Sequence, residues 1–469
     1  MTTATSPMVD PEVVEKVLAS ALRHGGDFAE VFVEDKRLTS IVLDDRRVEE
    51  LSSGHDRGAG IRVVRGETTG FAYTADLSES GLLVAAEAAA VVARSGSGET
   101  YAAKLDGRAE PVSRVEILPE RVDKATKVEL LLRADDAARS AGGAIVQVSA
   151  GYGDSRRQIL VANSEGLFAG DDQVRTRLFV TCVASGDSGM QTGYESLAQT
   201  VGFELFDQFS VEDAAQVAAG RALAKLSARP APSGVMPVVI KGGTGGILFH
   251  EACGHGLEAD HVVKDASAYR GKLGELVASP LVTLVDDGTP ANEWGTAAID
   301  DEGHRSQRNV LIENGVLTDY MWDYLRGRRN GRRSSGNGRR QSYQHLPMVR
   351  MTNTFLLAGE DEPDEIVAQT RDGVYVAKLG GGQVNTATGD FVFGMTEAFL
   401  IENGRITEPL RDANLIGNGP DVLRKIDAVG TDFDMSPGTC GKDGQSVPVG
   451  CGQATLRITG VTVGGTAGA

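Results

Sequence analysis

The 469-residue chain is short of cysteine, proline, aromatic side chains, basic charge and long apolar runs, and each shortage excludes something. Four cysteines, Cys182, Cys253, Cys440 and Cys451, are too few to frame a chain of this length with disulfides, and they point to a reducing compartment. Proline numbers 15 against 59 glycines without a fixed period, which excludes a collagen-like repeat and suggests many tight turns in a strand-rich fold. Basic residues fall short of acidic ones, 47 against 65, for a net charge of −18, which argues against a nucleic-acid coat or a binder of anionic membranes. The longest apolar-looking stretch, GLLVAAEAAAVVA near residue 85, is broken by Glu87 and falls short of the ~18 residues a membrane span needs. The opening MTTATSPMVDPE has neither a basic nor an apolar segment of the secretory kind, so the expected location is the cytoplasm.

What is present is a globular composition, 41% hydrophobic and 24% charged, with length for roughly two to four domains. A first helix is marked by Asp10 as cap, Pro11 in the first turn, and an apolar stripe of Val13, Val14, Val17, Leu18 and Leu22. FAEVFVED, TSIVLDD and GIRVVRGETTGFAYT read as strands, the last as a hairpin around Arg65–Gly70, and SESGLLVAAEAAAVVARS reads as a helix. The polar stretch 95–113 is a candidate linker. A second block repeats this arrangement, with a helix near 125–141, strands in IVQVSAGYGD, RQILVANSEGL and RTRLFVTCVAS, and an alanine-rich helix VEDAAQVAAGRALAKLSA. Three prolines in ARPAPSGVMP mark a boundary near 230. Beyond it strand patterns dominate, with helices entering at His250 and near Glu365 and Leu423. The expectation is an α+β chain: an N-terminal α/β subdomain (1–105), a central α/β subdomain (106–229) and a β-rich C-terminal domain (230–469).

The chemistry concentrates in KGGTGGILFHEACGHGLEAD, Lys241–Asp260, where His250 and His255 flank Glu251 as H-E-x-x-x-H. Imidazole is a favoured zinc ligand, and a carboxylate beside the first ligand can deprotonate a water. Zinc proteases of the H-E-x-x-H type put both histidines on one helical face. One extra residue turns the second histidine about 140° away on an ideal α-helix. A π-bulge would restore the alignment, and Gly254 is the residue best able to absorb it. GGTGG ahead of a helix could cradle phosphate, but it lacks the G-K-[ST] ending.

A third ligand is needed for a catalytic zinc. Glu258, three residues after His255, is too close for comfort and reads as a supporting or surface carboxylate. Cys440 sits among glycines in SPGTCGKDGQSVPVG, a soft thiolate donor with Gly441 allowing close approach, though a loop cysteine is more often an apolar filler. Cys253 should point away from a metal held by the two histidines, and Cys182 and Cys451, in strand patterns, read as core.

With these residues in view the chain resembles the TldD/PmbA family of zinc metallopeptidases, in its TldD branch. The similar segments are HEACGHGLEAD (250–260), SSGNGRRQSYQHLP (334–347), RMTNTF (350–355), GTCGKDGQSVPVG (438–450) and GIRVVRGETTGFAYT (60–74), spread over nearly the whole chain. Ser335 stands where threonine is usual, and Cys253 occupies a variable position. The resemblance implies zinc held by His250, His255 and Cys440, with Glu251 as general base. It implies cleavage of peptides or unfolded segments, and a heterodimer with a related metal-free subunit of the TldE/PmbA type.

The seven arginines of RGRRNGRRSSGNGRR (326–340) read as a loop. Out of context they suggest phosphate binding, and the resembled family has been linked to DNA gyrase. The acidic net charge and the scarcity of neighbouring aromatics argue against nucleic acid. Recognition of a peptide carboxylate by one or two of these arginines is the preferred reading, beside that of a solvated loop. The expected function is a zinc-dependent peptidase with neither nucleic acid nor membrane as partner; the alternative is a non-catalytic regulatory binding protein with a structural zinc.

Overall fold

A computed structural model describes residues 8–91 and 112–466. Most of the candidate linker, and the expected boundary at 105/106, lie outside them. The architecture is α+β, built on three large sheets.

The first sheet has the order β3-β2-β1-β4-β5-β6, all antiparallel: β1 Phe28–Asp44, β2 Arg47–Arg65, β3 Thr68–Thr74, β4 Ile145–Asn163, β5 Phe168–Gly186 and β6 Gly189–Gln199. Strands from both N-terminal blocks therefore share one continuous ladder. FAEVFVED and TSIVLDD merge into the single strand β1, and IVQVSAGYGD and RQILVANSEGL into β4. The polar first half of β2 and the edge strand β6 lack an apolar alternation and were not evident in the sequence; their ladders come from pairing alone.

Helices cover one face of this sheet. Helix α1 (Pro11–Leu22) starts at Asp10, whose carboxylate accepts from the Glu12 N–H, and buries Val14, Val17, Leu18, Ala21 and Leu22. Each fully buried valine or leucine contributes roughly 1.5–3 kcal/mol. Helix α2 (Glu79–Ala90), capped by Ser78, packs beside it. Helix α3 (Lys124–Ser140) and the helix Val211–Leu226 cover β4 to β6, the latter through alanines that allow close approach. Gly193 on β6 sits against the Ala218 carbonyl, where a Cβ would come within 2.0 Å.

The opposite face turns to the C-terminal body through buried charge pairs. Arg62 bridges Glu30 and Glu302, Arg340 also reaches Glu30, and Arg157 bridges Glu34 and Asp301.

The C-terminal body holds two large sheets around one core, beside a two-stranded pairing of Gly338–Arg339 with Met348–Val349. In one, Asp372–Val384 pairs with Gly234–Ile240, followed by Leu456–Gly464, Ala413–Asn418 and Asp390–Glu402, which pairs back to Asp372–Val384, so five strands close on themselves. In the other, the order runs Val316–Leu317, Arg308–Glu313, Leu284–Asp287, Asn353–Leu356, Gln445–Gln453, Asp434–Lys442. Its last strand, Asp434–Lys442, is an edge, and it carries Cys440. The expected helices stand at Gly246–Phe249, Pro363–Ala368 and Gly419–Arg424. Part of the arginine segment departs from the loop expectation: Tyr324–Arg329 is a helix, capped by Asp323, which accepts from the Arg326 N–H and pairs with its guanidinium. Among the described residues no helix is long and apolar enough to cross a membrane.

Candidate metal centre

The H-E-x-x-x-H segment leaves the strand Gly234–Ile240 through the glycine turn. Gly246 starts the helix with its Cα against the facing strand; a Cβ there would lie 2.2 Å from the Gly452 nitrogen. The glycines thus serve close packing of helix on strand. After one α-turn the backbone widens into a π-turn, His250–Gly254, in which the His255 N–H donates to the His250 carbonyl. The five-residue spacing is thereby brought to one face, with the imidazole centroids 5.0 Å apart and the rings nearly perpendicular. Gly254 is needed for a different reason from the one expected. Its φ is −50°, ordinary for a helix. A Cβ there would meet the Met351 sulfur at 2.2 Å.

Cys440 arrives from 185 residues away, and its sulfur lies 3.4 Å from His255 Nε2. One donor atom each from His250, His255 and Cys440 lies within 4.8 Å of the others, and all three residues are buried. His250 Nδ1 is buried with no hydrogen-bond partner. Two imidazoles and a thiol form a donor set suited to zinc, and an orphaned buried ring nitrogen is what a ligand position looks like. The residues therefore fit the metal. Gly441 is not crowded: a Cβ there would meet nothing within 4 Å.

The electrostatics favour a thiolate. Burial raises the Cys440 thiol, but the His250 and His255 imidazoles outweigh it and bring it down to about 4. Burial opposes charge on His255, yet Glu258 and Cys440 raise it to about 9. Burial likewise opposes charge on His250, and Cys451 and Cys440 together raise it well above the usual histidine range.

Glu258 is fully buried rather than a surface carboxylate, and its Oε2 holds His255 Nδ1 at 2.9 Å. That fixes which ring nitrogen faces Cys440. Burial raises the Glu258 carboxyl, but His255 and Lys442 bring it down to about 2. Lys442 Nζ bonds Glu258 at 2.9 Å, Asp260 at 2.8 Å and the Val349 carbonyl at 3.0 Å. Glu258, Asp260 and His261 form a second cluster close enough to hold an ion, but the ammonium already supplies its cation. Lys442 and Cys440 lie two apart on one strand and so share a face. Glu251 keeps some exposure, and its carboxylate stands 3.8 Å from His255 Nε2.

Cys253 donates to the Phe249 carbonyl, away from the cluster, as expected. Cys451 belongs to the core, as read, and its thiol also lies beside His250 and lines a cleft next to the site. Nothing local in the sequence signals this; it follows from the pairing of Gln445–Gln453 with its neighbours. The other motifs hold the cysteine-bearing hairpin. Arg350 donates to the carbonyls of Cys440 and Gln445. Asn337 donates to Asp286 and to the Arg350 carbonyl, and Asn353 donates to the Asp287 carbonyl.

Known proteins share this construction. The PmbA/TldA metallopeptidase domain 1 matches residues 29–93, the central domain 117–226 and the C-terminal domain 233–465. The chain belongs to the PmbA/TldD family of metallopeptidases and is a hydrolase of peptide bonds. Within that family it is 41% identical over 451 residues to a metalloprotease TldD homolog of Haemophilus influenzae, covering 94% of this chain and 93% of the relative. It is 31% identical over 274 residues to a zinc metalloprotease TldD homolog of Saccharolobus solfataricus, covering 58% and 60%. The solved structure of TldE from Thermococcus kodakarensis shares the fold, with a TM-score of 0.75 at 20% identity over 96% of this chain and 99% of that one.

Proposed function

We propose that this metallopeptidase is zinc-dependent, that His250, His255 and Cys440 hold the ion, and that Glu251 is the general base. The observation that carries the reading is the convergence of the three donors within 4.8 Å, with the partly exposed Glu251 carboxylate 3.8 Å from His255 Nε2. A relative named as a zinc metalloprotease supports the choice of metal. A purely structural zinc has four closed ligands and no use for a partly exposed carboxylate beside them, which disfavours the non-catalytic alternative.

Zinc, when bound, supplies a Lewis acid for the scissile carbonyl. Glu251 takes a proton from the attacking water and returns it to the leaving amine. Glu258 holds His255 in one tautomer, and Lys442 keeps Glu258 ionised. Substrates are peptides or unfolded segments. A cleft of about 710 Å³ adjoins the site, walled by β6 on one side and by Met435, Gly438 and Cys451 of the hairpin on the other. Both β6 and Asp434–Lys442 end their sheets, the setting in which an extended chain can add as a further strand.

The chain works with a metal-free homologous subunit of the TldE/PmbA type. The fold shared with a protein named TldE supports such a pseudo-symmetric pair, and the reducing compartment expected from its cysteines makes the cytoplasm its place of work. The test is digestion of casein by the chain alone, by the chain with its homologue, and by both with chelator. Glu251→Gln should keep the metal and lose about 10²–10⁴-fold in rate. Parent-level cleavage by that variant, or in chelator, overturns the mechanism; full activity of the chain alone, unchanged by the homologue, overturns the pairing.

A further inference from the structure

The face of the first sheet turned to the C-terminal body carries a cluster of cations, not all of which form ion pairs. Lys36 on β1 stands between Arg157 on β4 and Asp56 on β2, and Arg175 on β5 stands opposite Ser155, two residues along β4 from Arg157. Cross-strand partners share a face, so these side chains cluster. Arg339 and Arg340 descend on them from the C-terminal body, and Thr439 and Ser446 of the cysteine-bearing hairpin complete a cavity of about 190 Å³.

Two of the cations are matched. Arg157 pairs with Glu34 and Asp301, and Arg340 with Glu30. Three are not. Buried Arg175 reaches only the carbonyls of Trp294 and Thr296 and the amide oxygen of Gln173. Buried Arg339 reaches only the carbonyls of Met351 and Pro448. The Lys36 ammonium makes no hydrogen bond or ion pair among the described residues. Arg340, which is 1% exposed, leaves Nε and Nη1 without a partner. The single carboxylate on the wall, Asp301, is already engaged by Arg157 and by the Arg340 backbone N–H.

Burial, with the like charges of Arg339 and Arg157, outweighs the opposing Asp171 and Asp301 and lowers Arg175 to about 9. Burial also lowers Arg339 to about 10, with Arg350 adding to it and Asp301 opposing. Burial, with the like charges of Arg157 and Arg175, outweighs the opposing Glu34 and Asp56 and lowers Lys36. Guanidiniums kept dry among like charges and carbonyls are short of a counterion.

We propose that this cavity is a binding site for a small oxyanion, a carboxylate or phosphate group, held between Arg175, Arg339 and Lys36. The guanidinium fork matches either group through paired N–H donors, and the ammonium adds a point charge. One water needs about 10–15 Å³ of such space, so the cavity admits a phosphate, or a terminal carboxylate with the residue behind it, and no folded chain. The shared chemistry has two sources: inorganic phosphate, and the free acid of a peptide. A bound anion ties Lys36 and Arg175 of the first sheet to the hairpin wall next to Cys440.

The test is calorimetric titration of the full chain in the Glu251→Gln background, so that probes stay intact. The probes are inorganic phosphate, an acetylated tripeptide with a free C-terminus, and its C-terminal amide. Lys36→Gln, at a half-buried and unpaired position, and Arg339→Gln locate the binding. Acid binding at least about tenfold tighter than amide, and weakened about tenfold by Lys36→Gln with metal content unchanged, assigns the peptide acid. Phosphate binding weakened in the same way, with acid and amide equal, assigns the inorganic ion. No binding of phosphate or acid at millimolar concentration, or binding untouched by both substitutions, overturns the site. Residual cleavage in the Glu251→Gln background counts against Glu251 as the base and leaves the binding readout standing.

Discussion

Lys442 Nζ lies 2.9 Å from the same Glu258 oxygen that holds His255 Nδ1 at 2.9 Å. An ammonium on the hairpin and a carboxylate on the motif segment thus set one imidazole from behind, while Cys440, two residues from Lys442, meets that imidazole from the front. Hairpin and motif are registered to each other twice.

Glu258→Gln should therefore weaken metal binding about 10–100-fold, the usual cost of losing an outer partner of a ligand histidine. Competition against a chelator measures this. An affinity equal to the parent would mean that Glu258 does not orient His255.

Elemental analysis should find about one zinc per chain, and Cys440→Ala should abolish it. Cys451→Ala should retain it, because Cys451 lies beside His250 but outside the three-donor cluster. Zinc lost in the Cys451 variant and kept in the Cys440 variant would reverse the assignment.

The glycines divide sharply. Gly246→Ala drives a Cβ into the backbone at Gly452 and Cys451 and should cost about 1–3 kcal/mol in urea unfolding. Gly441→Ala points into open space and should stay within about 0.5 kcal/mol of the parent. Equal costs at the two positions would contradict this packing.

Glu30 gives a pH dependence. Burial raises its carboxyl, but Arg62 and Arg340 outweigh this and hold it below the usual range. A carboxyl lowered on folding contributes stability that is fully present above about pH 4.3 and is lost as pH falls through the folded value. Glu30→Gln should cost about 3–5 kcal/mol at neutral pH, since it takes the carboxylate from buried Arg340 and leaves buried Arg62 with Glu302 alone. The gap between parent and variant should stay nearly whole down to about pH 4 and narrow below it as pH falls toward the lowered folded value; a gap constant from about pH 7 to about pH 2 would exclude Glu30 from the acid response.

The sequence carried the local chemistry and missed the long-range placement. The extra residue between His250 and His255 demands a π-turn, and the backbone makes one at His250–Gly254. The capped, apolar-striped helices at Pro11–Leu22 and Lys124–Ser140 were legible because periodicity and caps are local. Cys451 was not: a cysteine on a buried strand looks the same whether it faces core or ligand, and only register decides. The burial of Arg339 and Arg340 within a glycine-rich arginine run was equally hidden, since their carbonyl and carboxylate partners come from distant strands. Strand β6, polar and at an edge, owes its existence to the neighbour it pairs.

The 185 residues between His255 and Cys440 set an order of assembly. During synthesis the histidines emerge long before the cysteine. Strand Asp434–Lys442 has no place to pair until Gln445–Gln453 follows it, and that strand in turn lies against Asn353–Leu356. The three donors come together only once the hairpin Asp434–Gln453 has been made and paired. A product cut short before that hairpin carries the H-E-x-x-x-H segment without its thiol, so the proposed zinc site stays incomplete until the hairpin has folded.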